Sequence, residues 1–242
     1  MREVSGKTIK DCSLVEPAAS LSDVRYDGCQ FDRCFATVQQ HWPDADHRIR
    51  ISNVVLNRCR TDGSVLSLAG VVLEDVVVAD FVGAVHAAHC SFTRVRLSGS
   101  FRGFRVDSFE RPVADANFSY WHNLALANDE VAASADWALD VSEARFDSGS
   151  MILGVAAHLI RIDPSRQAVV TPESVVGAEG IFSDDDLLTE VGVGINQALQ
   201  GREDSSLISV SSNARKPDRE LALIQMVHEL GFALPVMAGG GA

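Results

Sequence analysis

The chain has 242 residues, of which 46% are hydrophobic and 22% charged, with 7 prolines and a mean hydropathy of +0.07. That composition excludes a disordered or collagen-like chain and supplies apolar material for a sizeable core, as one large domain or two small ones. The net charge of −12 is unevenly spread: residues 1–110 hold 13 basic and 14 acidic side chains, whereas residues 111–242 hold 8 and 19. A balance of −1 followed by −11 argues against direct attraction to nucleic acid or to an anionic membrane surface.

Met1–Leu14 carries Arg2, Glu3, Lys7, Lys10 and Asp11 and so has no apolar signal core. The longest uncharged stretches, Phe81–Thr93 and Ser148–Ile160, fall short of the roughly 20 apolar residues of a bilayer span. Cys12, Cys29, Cys34, Cys59 and Cys90 are odd in number and contain no Cys-x-x-Cys pair, which fits neither a disulfide framework nor a zinc site. The expectation is a cytoplasmic protein in a reducing compartment, without cofactor or metal.

From Ala19 to Thr37 a pattern recurs every five residues: Ala19 with Leu21, Val24 with Tyr26, Cys29 with Phe31, Cys34 with Ala36. The first of each pair is small or β-branched and the second usually large, with polar residues between. Val4, Ile9 and Leu14 already fall on this spacing, with Cys12 two residues before Leu14. After an interruption containing Trp42 and Pro43 it returns at Ile49 with Ile51, Val54 with Leu56 and Cys59 with Thr61. Shifted frames follow at Val71 with Leu73, Val76 with Val78, Cys90 with Phe92 and Val95 with Leu97, and echoes at Ala116 with Phe118 and Ala144 with Phe146. A period of five matches neither a helix nor a long alternating strand. It matches very short extended segments joined by regular corners, with both residues of each pair facing a common axis. All five cysteines then occupy the small inward place, where a buried thiol acts as a compact hydrophobe.

The strings DVRYD, GCQFD, NVVLN, RCRTD, HCSFT, RVRLS and EARFD resemble the pentapeptide-repeat family over roughly residues 1–109, with traces to 162. The resemblance implies a mainly β fold, a right-handed four-sided β-helix with four pentads to a coil. Stacked coils would lie about 4.8 Å apart, with the ends of the stack capped and the interruptions projecting as loops. The β-helix is assigned to residues 1–162 and a small α/β region to 163–242.

In that second region Gln167–Thr171 reads as a strand. Ser183 followed by Asp184, Asp185 and Asp186 opens a helix whose Leu187, Leu188, Val191, Ile195, Ala198 and Leu199 share one face, with Gly201 as its stop. Ser206–Ser211 alternates as a strand. Pro217 starts a second helix with Leu221, Ile224, Val227, His228 and Leu230 inward and Gly231 at its end. The Ala-Gly-Gly-Gly-Ala segment from 238 onward reads as a mobile tail.

Chemistry-bearing motifs are sparse. His86, His89 and Cys90 suggest a metal site but have no evident further ligand. Gly192 and Gly194 lack the third glycine of a nucleotide loop and sit within a helix. His228-Glu229 lacks the second histidine of a zinc-protease helix, and no Gly-x-Ser-x-Gly elbow occurs. The segment most like a site is Ser209–Arg219, where Ser211, Ser212, Asn213, Arg215 and Lys216 could bind an anion at a helix start.

The leading expectation is a non-enzymatic protein-binding module that neutralises or protects a bacterial protein, in the manner of an immunity or resistance factor. The alternative is an enzyme: a small-molecule or phosphate-handling site at residues 209–219, or a carbohydrate-active face of the β-helix. The resemblance brings DNA gyrase into view, because the family includes proteins that protect it by imitating DNA, but a near-neutral repeat portion argues against that partner. A basic protein docking on Asp184, Asp185 and Asp186 fits the charge distribution better, and a homodimer is compatible with it.

Overall fold

The computed structural model describes residues 1–16, 18–37, 48–102, 104–107, 118–147, 151–153, 155–200, 205–235 and 237–238. Trp42, Pro43, Ala116, Gly201 and residues 239–242 lie outside them. The protein is mainly β. Its strands begin with β1 (Arg2–Ser5), β2 (Thr8–Lys10), β3 (Ser13–Leu14), β4 (Ser20–Asp27), β5 (Gln30–Asp32) and β6 (Phe35–Thr37). They continue with β7 (Arg50–Asn57), β8 (Arg60–Ala69), β9 (Val72–Ala79), β10 (Val82–Ala88), β11 (Ser91–Thr93), β12 (Val95–Phe101) and β13 (Phe104–Asp107). After helix α1 (Phe118–Ser134) come β14 (Leu139–Phe146), β15 (Met151–Leu153), β16 (Ile160–Ile162) and β17 (Gln167–Val170). Helices α2 (Asp184–Leu187) and α3 (Glu190–Leu199), strand β18 (Ser206–Ser209), helix α4 (Pro217–Glu229) and strand β19 (Met237–Ala238) follow.

Two sheets form from strands far apart in sequence. One runs β1-β4-β7-β9-β12-β14-β16-β19 with β11 also on β9, and every pairing in it is parallel. The other runs β17-β18-β15-β13-β10-β8-β5-β2, with β6 joining β3 to β8. It is parallel except where β18 lies antiparallel to β15 and β17. The chain thus passes repeatedly from one sheet to the other, and many partners lie about 20 positions apart, although Val95 pairs with Leu139, 44 positions on. Arg2 pairs with Val24 and Ile51 with Leu73, 22 positions on, while Val77 pairs with Arg96, 19 positions on. The step from β4 to β7 is 30, Val24 to Val54, because the interruption around Trp42 intervenes. A frame slip shows as a register shift between Val82 and Ala84, whose partners are Arg60 and Val65.

The five-residue pattern sorts side chains as expected. Val24, Cys29, Cys34, Ile49, Val54, Cys59, Val71, Val76 and Val95 are all buried in one apolar core, joined by Phe81, which lies outside the expected pairs. Parallel register then stacks like positions: Leu21, Ile51, Leu73 and Phe92 form one column, and Tyr26, Leu56, Val78 and Leu97 another. The corners fall at the residue directly before an inward one, which is small in every case but Phe81. Asp23, Arg33, Asn53, Arg58, Asp75, Asp80, His89 and Arg94 all have φ between 50° and 57°, and Gly28 and Gly70 are also left-handed at 61° and 68°. Left-handed backbone costs an L-residue about 1–2 kcal/mol, so the architecture imposes this conformation against local preference. Stacked corner side chains bond one another: Arg33 to Asp11 at 2.6 Å, Asn53 to Asp23 at 2.6 Å, and Arg94 to Asp75 through two bonds of 2.6 and 2.8 Å.

The buried thiols play the packing part assigned to them. Cys29 donates to the Val4 carbonyl at 3.4 Å, Cys34 to that of Ile9 at 3.4 Å, and Cys59 to that of Tyr26 at 3.5 Å, each on the neighbouring strand. Cys12 departs from the expectation and is exposed. The Phe35 amide, directly after Cys34, donates to its carbonyl, but Cys12 lies between β2 and β3, at the outer end of the described sheet.

The second half brings further corrections. Helix α1 departs from the sequence expectation, in which Ala116 with Phe118 continued the repeat. The segment from Ser183 is two helices rather than one. Thr189 accepts from the Gly192 amide at 3.0 Å and caps α3, which breaks the helix and leaves Leu188 81% exposed instead of inward. Strand β18 does not alternate: all four residues are buried, since it is flanked by two strands and covered by α3. Leu230 is exposed because α4 ends at Glu229, and Phe232 beyond Gly231 packs instead against Phe182 at 6.3 Å. A second apolar core joins Ala168, Val170, Val191, Ile195, Ile208, Ile224 and Val227.

Thiol labelling tests the inward placement. Native protein should take up one equivalent of a thiol reagent, at Cys12, and unfolded protein five. Mass spectrometry showing ready native labelling of Cys29 or Cys59 would contradict it.

Candidate functional site

The Ser209–Arg219 segment links β18 to α4, and its polar groups are turned onto the protein itself. The Ser211 amide donates to Glu220 Oε2 at 3.0 Å, and its hydroxyl donates to the Asp147 carbonyl at 2.7 Å. Ser212 donates through its hydroxyl to Asp147 Oδ1 at 2.6 Å and through its amide to the Phe146 carbonyl at 2.8 Å. The Asn213 amide bonds Ser211 Oγ at 3.2 Å. Arg215 and Lys216 are exposed. A carboxylate from α4 therefore occupies the place where the Ser211 amide would meet an anion, and burial pushes the Glu220 carboxyl up. The loop fastens β14 to the α/β region.

Of the three consecutive aspartates, Asp186 serves the fold. It completes a capping box with Ser183, and Arg219 donates to it at 2.7 Å. Those bonds, the serine first, hold its carboxyl below the usual range. Asp184 and Asp185 are exposed, with Arg219 only 3.6 Å from Asp185. Gly192 and Gly194 are packing glycines. A Cβ on Gly194 would come within 2.4 Å of Ile208, and one on Gly192 within 1.9 Å of the Asp186 carbonyl. His228 bonds the Gln167 carbonyl at 3.0 Å.

His86, His89 and Cys90 do not converge. His86 Nε2 lies 2.7 Å from Asp107 Oδ2, to which Arg105 also donates at 2.7 Å. Cys90 donates to the Ala88 carbonyl at 3.4 Å, and burial pushes its thiol up to about 11. Among the described residues no group of three or more His, Cys, Asp or Glu side chains could hold a metal ion.

The most pocket-like feature escaped the sequence. A cavity of about 480 Å³ lies between α1, the β11–β13 end of the sheets, the turn Ala156–Leu159 and Leu234–Pro235. Phe92, Val106, Leu153, Val155 and Leu159 make its buried floor, and Asp129 and His158 are exposed lining residues. Ser91 and Asn128 also line it and are fixed from behind. Arg48, 2% exposed, donates to the Gly70 carbonyl at 2.9 Å and to Ser91 Oγ at 2.7 Å. Ser91 in turn donates to Asn128 Oδ1, and Asn128 donates to the His89 carbonyl. Arg48, Ser91 and Asn128 are about 40 positions apart in turn, so no local pattern could reveal the chain they form. No family model, curated protein or solved structure matches this chain.

His89 is buried at the edge of this network, and burial lowers its pKa to about 4. A free histidine titrates near 6.5, so between about pH 6.5 and 4 the unfolded chain binds a proton that the folded chain refuses. Stability should fall over that window by up to about 3 kcal/mol and be complete above it. Urea titrations across this range check the effect. His89→Asn, which tolerates left-handed backbone, should flatten the difference, and an unchanged pH profile would contradict it.

Proposed function

We propose that the chain forms a right-handed, four-sided β-helix of the pentapeptide-repeat kind. The support is the repeated passage of the chain between two largely parallel sheets, where several steps of 22 and 19 residues bracket the 20 of four pentads. On this scaffold the protein is a non-enzymatic binding module for another protein, a basic one, in the manner of an immunity or resistance factor.

One observation carries this reading. Leu188 is 81% exposed just after Asp184 and Asp185, and Val176, Ile181 and Val193 of the same segment are exposed large apolar side chains. Exposed apolar groups rimmed by carboxylates are the composition of a surface that meets a basic, partly apolar partner. The carboxylates speed encounter and respond to salt, while the apolar groups hold the complex. DNA gyrase is not part of this reading, because residues 1–110 sum to only −1.

Immobilised protein should retain a basic protein from a bacterial lysate. Asp184→Asn with Asp185→Asn, leaving Asp186 to its cap, should slow association at low salt. Adding Leu188→Ser should weaken the complex about tenfold, near 1.4 kcal/mol, with the thermal midpoint unchanged. Undiminished capture by the triple variant would overturn the assignment of this surface.

A further inference from the structure

The cavity beside α1 has the size, the floor and the charge of a ligand site. Its volume of about 480 Å³ falls within the roughly 300–1,000 Å³ of small-molecule pockets. Phe92, Val106 and Leu153 are buried in its floor and give an organic group an apolar surface. The Arg48–Ser91–Asn128 chain holds one wall in a single arrangement, so little ordering is left for a ligand to impose.

Charge selects the ligand class. Asp107, Asp129 and His158 are the ionisable oxygen- and nitrogen-bearing side chains among the described lining residues, which include no lysine or arginine. The Arg48 guanidinium behind Ser91 is 2% exposed and committed to the carbonyls of Gly70 and Val71 and to the Ser91 hydroxyl. Asp107 is engaged by His86 and Arg105. Asp129 is exposed and makes no ion pair among the described residues. The exposed Asp129 carboxylate beside an apolar floor repels a carboxylate and accepts a cation with a hydrophobic body.

We propose that this cavity binds a small organic amine, with its ammonium group at Asp129 and its apolar part over Phe92, Val106 and Leu153. The site is separate from the Asp184–Leu188 surface and does not depend on it. Tryptamine and indole-3-propionate, alike in body and opposite in charge, are suitable probes, measured with the intact protein by calorimetry at pH 7 and low salt. Tryptamine should bind and raise the thermal midpoint, and indole-3-propionate should bind at least about fivefold more weakly. Asp129→Asn, at an exposed position, should weaken tryptamine about fivefold and narrow the difference between the two compounds. Ala132→Phe fills the cavity from α1 and should abolish binding of both. Equal binding of the two compounds, binding of neither, or tryptamine binding unaltered by Asp129→Asn would overturn the proposal.

Discussion

The structure depends on one backbone constraint: most of the inward side chains that open a pentad are directly preceded by a residue in left-handed conformation. At Asp23, Arg33, Asn53, Arg58, Asp75, Asp80, His89 and Arg94 this is done without glycine. An extended segment alone would send successive side chains to opposite faces. The corner turns the chain instead, so that the next small residue and the one two positions later both reach the core. Repetition puts the strained residues of successive strands beside one another, and there Arg33 meets Asp11 and Arg94 meets Asp75. Those exposed pairs are screened by water, so inward packing and parallel hydrogen bonding hold the corners in place. Where a corner carries glycine, room can decide as well as φ: at Gly99 a Cβ would fall 2.0 Å from the Asp80 carboxylate.

This constraint accounts for what could be read in advance. Inward residues recur every five positions because corners do, so Val24, Cys29, Val54, Cys59 and Val76 could be placed from spacing alone. Capping chemistry is equally local, and Ser183 and Pro217 marked helix starts correctly. Features that failed depend on competition or on distance. Thr189 caps as well as Ser183 does, and two caps six residues apart divide what the apolar face of Leu187–Leu199 would have joined. Cys12 matches the inward pattern but lies at the outer end of the described sheet, a property of sheet order rather than of the pentad. Ser211 and Ser212 resembled an anion cradle because Asp147 and Glu220, which engage them, are 64 and 9 positions away.

Function divides along the same line. The paired sheets form a frame whose corner hydrogen bonds lie outside and whose four buried thiols pack the core. The exposed apolar side chains around Leu188 and the cavity between α1 and Ser91–Phe92 lie where the repeat gives way to helices.

The central claim is that the pentad corners bring Val24, Val54 and Val76 onto adjacent parallel strands, and it is tested most directly by nuclear Overhauser contacts in solution. The account predicts a ladder of close inter-strand contacts from the Val24 segment to that of Val54 and on to that of Val76, all in parallel register. Antiparallel contacts, or no contact between segments 22 and 30 residues apart, would contradict it.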